Sequence, residues 1–276
     1  MKKLFILSLV ILAFANVNAQ NVTVMSYNIR LDVASDGENR WDNRKEMLNA
    51  QVLQKNPDFL GLQEALPQQI DYLNENLKNY KYIGVGRDDG KREGEFSAIF
   101  YNASKYKVIE QSTFWLSATP DKVSMGWDAA CKRVCTYGLF ENLKTKQKLW
   151  IFNTHFDHIG NTARQNSAKL ILDKIKGLNT NNFPFALTGD FNLEPNSEPV
   201  KLITKQLNDS RIVAEEIEGQ SATFNGFNMK EQPKIRIDYV FVPKTVTVNK
   251  YETLTDVKYN RYPSDHFPVY VELTVK

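Results

Sequence analysis

The stretch Pro184-Phe185-Ala186-Leu187-Thr188-Gly189-Asp190-Phe191-Asn192 opens as a short apolar run and closes on a carboxylate and an amide. A brief apolar run bounded by turn residues reads as a strand buried on both faces, here Pro184 to Leu187. A buried strand that ends in a polar group delivers that group to the rim of a sheet, where several tips can meet in one pocket. Three other runs have the same form: VTVMSYN closes on Asn28, DFLGLQE on Glu64 and KLWIFNTH on His155. One such ending is ordinary turn or capping chemistry, whereas four in one chain point to a shared site.

Working outward, the apolar runs are short and rich in β-branched and aromatic residues, with helical patterns between some of them. They predict strands over Val22 to Asn28, Phe59 to Gln63, Tyr80 to Gly86, Phe96 to Tyr101, Val108 to Leu116, Arg133 to Asn142, Leu149 to His155, Pro184 to Leu187, Ile235 to Val242, Thr245 to Leu254 and Val269 to Val275. Helices are expected over Trp41 to Lys55, Gln68 to Leu77, Thr162 to Leu178 and Pro199 to Gln206. Eleven strands and four helices fit an α/β (α+β) arrangement of sheet packed on sheet with helices outside. A doubly wound nucleotide fold is disfavoured, because no glycine-rich phosphate loop follows a strand.

The first residues carry a different signal. Lys2 and Lys3 precede an apolar run from Leu4 to Phe14, and Val17-Asn18-Ala19 forms a small-residue cleavage end. That order predicts a signal peptide over residues 1–19, a single domain over residues 20–276, and export to a periplasmic or secreted location. The apolar run is too short to span a bilayer, and no transmembrane segment is expected after cleavage. Removing the two lysines lowers the formal charge from +3 to +1, 33 Lys and Arg against 32 Asp and Glu. A nearly neutral chain has no global field to attract nucleic acid or an anionic membrane, although a local patch remains open. Cys131 and Cys135 read as two buried thiols, since residues four apart on a strand lie about 13 Å apart, beyond disulfide reach. A tight turn at Lys132 would reverse that expectation.

The 276 residues include only three histidines, His155, His158 and His266. His266 follows Asp265 in the loop Ser264-Asp265-His266-Phe267-Pro268, which leads into the last strand. In IRIDYVF, alternation places Ile235, Ile237, Tyr239 and Phe241 on one face and Arg236 with Asp238 on the other. Arg236 and Asp238 are either a surface ion pair or part of a site.

Taken in order, YNIR, LQE, THxDH, GDFN, IDYVF and SDHFP resemble the motifs of the endonuclease/exonuclease/phosphatase superfamily, the DNase I-like phosphoesterases, across essentially the whole mature chain. The resemblance implies a four-layer sandwich, two mixed sheets face to face with helices outside, and a rim site holding Mg²⁺ or Mn²⁺. It also implies Glu64 as principal metal ligand, with Asn28 and Asp265 close to the same ion. Carboxylate and amide oxygens suit a hard dication better than zinc. Zinc held by His155 and His158 is disfavoured, because residues three apart on a strand face opposite sides and no further ligands complete the set.

By the same resemblance, Asp190 orients or deprotonates the attacking water and Asn192 donates to the phosphoryl oxygen. Asp238 holds His266, and His155 contacts the phosphate from another side. Which of Asp190 and His266 formally takes the water's proton stays open. Glu95 is either the carboxylate partner of His155 or an ordinary strand-end acid. Arg30 is placed to bind a substrate phosphate through its planar fork, while Arg87, Arg133, Arg164 and Trp127 are candidate substrate contacts. His158 and Asp157 match no universal catalytic position.

These observations predict an exported Mg²⁺-dependent hydrolase of phosphoric ester bonds, a phosphodiesterase or phosphatase acting on a phosphorylated substrate of open class. A secreted nuclease acting on DNA or RNA is the alternative, and a catalytically inactive phospho-ligand binding module is the alternative of another class. A monomer is expected.

Overall fold

The computed structural model describes residues 19–276, so the expected signal peptide lies outside the described residues except for Ala19. In chain order the elements are β1 (Gln20–Asn28), α1 (Lys45–Lys55), β2 (Phe59–Gln63), α2 (Pro67–Asn76), β3 (Tyr80–Ile83), β4 (Ile99–Asn102), β5 (Tyr106–Trp115), β6 (Val134–Asn142) and β7 (Lys148–His155). They continue with α3 (Asn161–Leu178), β8 (Phe185–Asp190), α4 (Glu198–Gln206), β9 (Leu207–Asp209), α5 (Ser210–Val213), β10 (Glu216–Glu218), β11 (Asp238–Pro243), β12 (Thr247–Thr253) and β13 (Val269–Val275). Seven strands form one mixed sheet in the order β10-β12-β13-β1-β2-β4-β3, and six form the other in the order β5-β6-β7-β8-β11-β9.

Period-two alternation explains the layers. In β1, Val22 and Val24 point inward to a core shared by both sheets, with Phe59, Ile151, Val240 and Val271. Met25 and Tyr27 point outward and pack against Leu48 and Val52 of α1 and Ile70 and Leu73 of α2. β8 is apolar on both faces: Ala186 enters the inter-sheet core, while Phe185 and Leu187 pack under Ile171 and Ile175 of α3 and Val200 and Ile203 of α4. The result is helix, sheet, sheet, helix, the expected four-layer sandwich.

A polar seam pins the two sheets together below the rim. Asn153 of β7 donates to the carbonyls of Leu62 and Ala98 at 2.8 and 2.9 Å, and its Oδ1 accepts from Gln63 and Thr188 at 2.7 and 2.9 Å. Gly61 leaves room for that seam, since a Cβ there would meet Thr188 Oγ1 and lie 2.6 Å from Asn153 Oδ1.

Several boundaries differ from the sequence expectation. β8 runs on through Thr188 and Gly189 to Asp190, because both residues pair with β11 and Thr188 satisfies its hydroxyl inside the core. The strand containing Asp238 starts at that residue and not at Ile235, which makes only an isolated bridge to Phe224. The expected helix from Trp41 divides into a 3-10 turn, Trp41–Asn43, and α1. Strand β3 stops at Ile83 and β4 begins at Ile99, with Phe96 bridging separately to Ala65 and Gly86. The short elements β9, β10 and α5 have too little sequence period to be anticipated. Cys131 and Cys135 are both free thiols. No helix among the described residues is long and apolar enough to cross a membrane.

Candidate active site

Sheet register builds the site. β7 and β8 run parallel with His155 opposite Asp190, and β8 and β11 run antiparallel with Asp190 opposite Asp238. These three side chains therefore leave the same rim. In the facing sheet Asn28 of β1 lies opposite Gln63 of β2, with Glu64 one residue beyond. Antiparallel pairing of β13 with β1 brings Asp265 and His266, just upstream of β13, to that rim as well.

Three residues turn sharply to reach their places. Arg30, Glu64 and Asn192 have φ of 56°, 62° and 51°, left-handed geometry that costs about 1–2 kcal/mol per non-glycine residue. Local hydrogen bonds offset that strain. Asn28 Oδ1 accepts from Arg30 N at 3.0 Å, Glu64 Oε2 from Leu31 N at 3.2 Å, and Asp190 Oδ1 from Asn192 N at 2.8 Å.

Asp190 is the hub. It is fully buried in effect, at 1% exposure, and accepts from Asn28 Nδ2 at 2.9 Å, while His155 Nε2 and His266 Nε2 stand 3.5 and 3.8 Å from its Oδ2. Burial, reinforced by the negative charge of Asp238, pushes its carboxyl up to about 7 despite the opposing pull of His266. Burial likewise raises Asp265, with Glu64 adding to the effect and His266, Arg30 and Arg44 opposing it. His266 Nδ1 meets Asp238 Oδ2 at 2.9 Å. Burial is the largest influence on that ring and disfavours its charge, but Asp238, through charge and hydrogen bond, and then Asp190 and Asp265 together hold it well above the ordinary histidine value. His155 goes the other way: burial, then Arg133, Arg87 and the other two histidines keep it well below that value, so it is neutral.

One carboxylate oxygen each from Glu64 and Asp190 and a ring nitrogen of His155 lie within 4.8 Å of one another. Two carboxylate oxygens that converge beside an imidazole fit a divalent cation. Asn28 turns its amide N–H groups to Glu64 and Asp190 and its oxygen to Arg30 N. The Arg30 guanidinium is 3.8 Å from Asp265 Oδ2 and 3.9 Å from Glu64 Oε2. Of the expected trio, Glu64 therefore converges with Asp190, whereas Asn28 presents its N–H groups to this spot and Asp265 faces Arg30. A second group, Asp190, Asp238 and His266, is already occupied by the His266–Asp238 pair.

The other sequence candidates separate. Arg87, Arg133 and Glu95 line a cleft of about 730 Å³ that also contains Glu64, His155, Asp190 and His266. Arg30 lines it too, with Nε and Nη2 held by Asp36 at 2.9 Å and Nη1 3.9 Å from Glu64 Oε2. Arg164 faces backbone carbonyls of the loop after β7 and of Asn192, and is not part of the cleft lining. Trp127 is also outside the lining, while its neighbour Asp128 accepts from Thr162 N and Ala163 N at the start of α3. Glu95 is not hydrogen-bonded to His155: its Oε2 is 3.8 Å from Nδ1 and bonds Arg87 at 2.7 Å. Arg236 is paired with Asp209 at 2.6 Å and so makes no ion pair with Asp238.

His158 lies beyond the end of β7, so strand alternation does not govern it, and it reaches the cleft beside Arg133. Asp157 secures that loop by accepting from the N–H groups of Ala130, Cys131, Ile159 and Gly160. Burial works against its charge, yet those donors and then Arg133 hold it down to about 2. Sequence inspection missed Arg44, which is buried and donates to the carbonyls of Ile29, Arg30, Asn39 and Pro263. It joins the loop that carries Asn28 to the loop that carries Asp265. Its only sequence signal was an arginine in an otherwise apolar-periodic segment.

Residues 25–266 match the Endonuclease/Exonuclease/phosphatase family, and the chain belongs to it. Two solved structures from Bacteroides thetaiotaomicron are similar over nearly the whole chain. A protein of the same family is 39% identical with a TM-score of 0.90, covering 94% of this chain and 99% of that one. A mannosyl-6-phosphatase is 40% identical with a TM-score of 0.88, covering 91% and 99%. An uncharacterised protein of Acanthamoeba polyphaga mimivirus is 27% identical over 256 residues, 84% of this chain and 91% of that protein. The family's enzymes hydrolyse phosphoester bonds, typically with a divalent metal, and this chain is a phosphoester hydrolase of that class.

Proposed function

We propose that the protein is an exported, Mg²⁺-dependent phosphatase that releases phosphate from a phosphorylated sugar. The observation that carries the substrate class is the lining of the cleft. Beside the carboxylate centre stand Arg87, Glu95, Arg133 and His158, hydrogen-bonding groups suited to hydroxyls, and among the described residues that line it Phe224 is the one Phe, Tyr or Trp. Phe224 makes a T-shaped contact with the His266 ring at 5.0 Å. Recognition of a nucleic-acid strand draws on successive stacking aromatics as well as basic groups, and Phe224 is the single aromatic of that kind in this lining. The volume of about 730 Å³ falls in the range of small-molecule sites. The 40% identical mannosyl-6-phosphatase supports the same class.

Glu64 and Asp190, with Asn28 and Asp265 around them, are the residues that would hold Mg²⁺. The bound ion supplies Lewis-acid polarisation and neutralises phosphoryl charge. Asp190 orients the attacking water, Asn192 and His155 donate to phosphoryl oxygens, and the charged His266 offsets the negative charge that builds on them. Export rests on the pattern of residues 1–19. The test is phosphate release by the purified protein from hexose 6-phosphates, nucleotides, oligonucleotides and phospholipid headgroups with Mg²⁺. Hexose phosphates should turn over fastest; preferred cleavage of oligonucleotides would overturn the assignment.

A further inference from the structure

Two of the three arginines that line the cleft already have their forks engaged. Arg133 turns Nη1 to His155 Nδ1 at 3.0 Å and Nη2 to His158 Nδ1 at 3.1 Å, and Arg30 is held by Asp36. Arg87 and Glu95 differ. Their ion pair uses one atom of each side chain, with Arg87 Nη1 donating to Glu95 Oε2 at 2.7 Å. Arg87 Nη2 and Glu95 Oε1 make no hydrogen bond among the described residues, and both side chains line the cleft.

The loop that carries the pair, between β3 and β4, is tightly closed. Gly86 N donates to the Lys91 carbonyl at 3.0 Å, Arg87 N to Glu95 at 3.1 Å and Asp88 N to Glu93 at 3.0 Å, while Trp115 Nε1 donates to the Arg87 carbonyl at 2.8 Å. Gly94 turns the loop with φ of 81°, and a Cβ there would strike the Asp88 carboxylate. A spare donor and a spare acceptor side by side on a fixed frame suit hydroxyl groups, each of which both donates and accepts. A second anionic group would meet the Glu95 carboxylate beside the guanidinium, so the pair favours a neutral polyol. His155 stands between the pair and the reacting centre: its Nδ1 is 3.8 Å from Glu95 Oε2 and its Nε2 is 3.5 Å from Asp190 Oδ2. A hexose joined to a phosphate beside Asp190 is long enough to reach past one imidazole ring.

We propose that Arg87 and Glu95 are the specificity-determining residues of the enzyme, Arg87 Nη2 donating to and Glu95 Oε1 accepting from hydroxyls of the sugar that carries the phosphate. That role rests on the sugar-phosphatase reading and names the residues that recognise the sugar. An ester whose alcohol has no further hydroxyl leaves both polar atoms without partners as it enters the cleft, and a site built to hydrogen-bond a hydroxyl discriminates strongly against an analogue that lacks it.

The experiment compares kcat/KM of the Mg²⁺-loaded wild type, Arg87→Met and Arg87→Lys on mannose 6-phosphate and glucose 6-phosphate, their monodeoxy analogues, and ethyl phosphate, whose alcohol has no further hydroxyl. The wild type should prefer its better hexose phosphate over ethyl phosphate by about 100-fold or more, and loss of at least one sugar hydroxyl should cost about 10- to 100-fold. Arg87→Met should shrink the preference for the hexose over ethyl phosphate about 10- to 100-fold, mainly through KM, and the sensitive deoxy analogue should then be no worse than its parent. Arg87→Lys, which keeps the charge and loses the fork, should restore part of the preference. A preference within twofold of wild type in Arg87→Met, or equal losses on hexose phosphate and ethyl phosphate in a variant that melts like the wild type, overturns the proposal. A wild type that hydrolyses every deoxy analogue as well as its parent overturns it even if the variants misfold. Failure of the wild type to release phosphate from any of these esters overturns the phosphatase assignment and the proposal with it, whereas the other outcomes leave that assignment standing.

Discussion

Replacing Asp238 by Asn separates the charge of the buried pair from its shape. The amide oxygen of Asn can still accept from His266 Nδ1 at the 2.9 Å now spanned by Asp238 Oδ2, so the ring keeps its orientation. What disappears is the carboxylate charge, the main influence that outweighs burial and holds His266 charged. With it gone, burial is opposed by Asp190 and Asp265 alone, and the ring's pKa falls. A hydrogen bond involving a charged partner is worth about 1.5–3 kcal/mol, so kcat should fall about 10- to 150-fold with KM little changed. Stability gives an independent check. The pKa of His266 is raised on folding, so its contribution is full below the unfolded value of about 6.5 and is lost as pH rises through the folded value. Melting temperatures of wild type and Asp238→Asn should therefore differ most near pH 6 and converge at alkaline pH. Steady-state kinetics and thermal melts across pH measure both effects. An Asp238→Asn enzyme with wild-type kcat, or a melting difference that grows with pH, would refute the role given to the pair.

Three further outcomes follow from the same geometry. In EDTA, Asp190 holds its proton up to about pH 7 when folded but only to about 3.9 unfolded, so stability should fall as pH rises between those values, by up to about 1.4 kcal/mol per pH unit; Mg²⁺ should flatten the slope in chemical denaturation. Gly61→Ala forces a methyl against Thr188 and Asn153 and should cost about 1–3 kcal/mol in urea unfolding. Arg44→Met strips four carbonyls of a donor and should weaken Mg²⁺ binding in calorimetry more than it alters substrate KM, because it loosens the loops beside Asn28 and Asp265.

The strand tips were legible in sequence because each combines two strong signals, a buried apolar run and an abrupt polar end. β8 shows the weakness of that signal: Thr188 and Gly189 look like turn residues, yet tertiary hydrogen bonds keep them in the strand. Asp238 was identifiable from alternation, but Ile235 and Ile237 were assigned to the same apolar face as Tyr239, whereas they line the cleft outside β11. The arginines were the least readable residues. Arg30, Arg133 and Arg164 look alike in sequence, yet one is held by Asp36, one supports two histidines and one faces loop carbonyls. Their long side chains take direction from partners remote in sequence, and that information exists only in the folded chain.

The central claim is that Glu64 and Asp190 hold a divalent cation without which the phosphoester is not cleaved. It is tested most directly by phosphate release from a hexose 6-phosphate by the purified protein titrated with Mg²⁺ after EDTA treatment, beside Asp190→Asn. Turnover should be absent in EDTA, rise to saturation with Mg²⁺ and be lost in Asp190→Asn at every Mg²⁺ concentration. Full turnover in EDTA, or an Asp190→Asn protein as active as wild type, would contradict it.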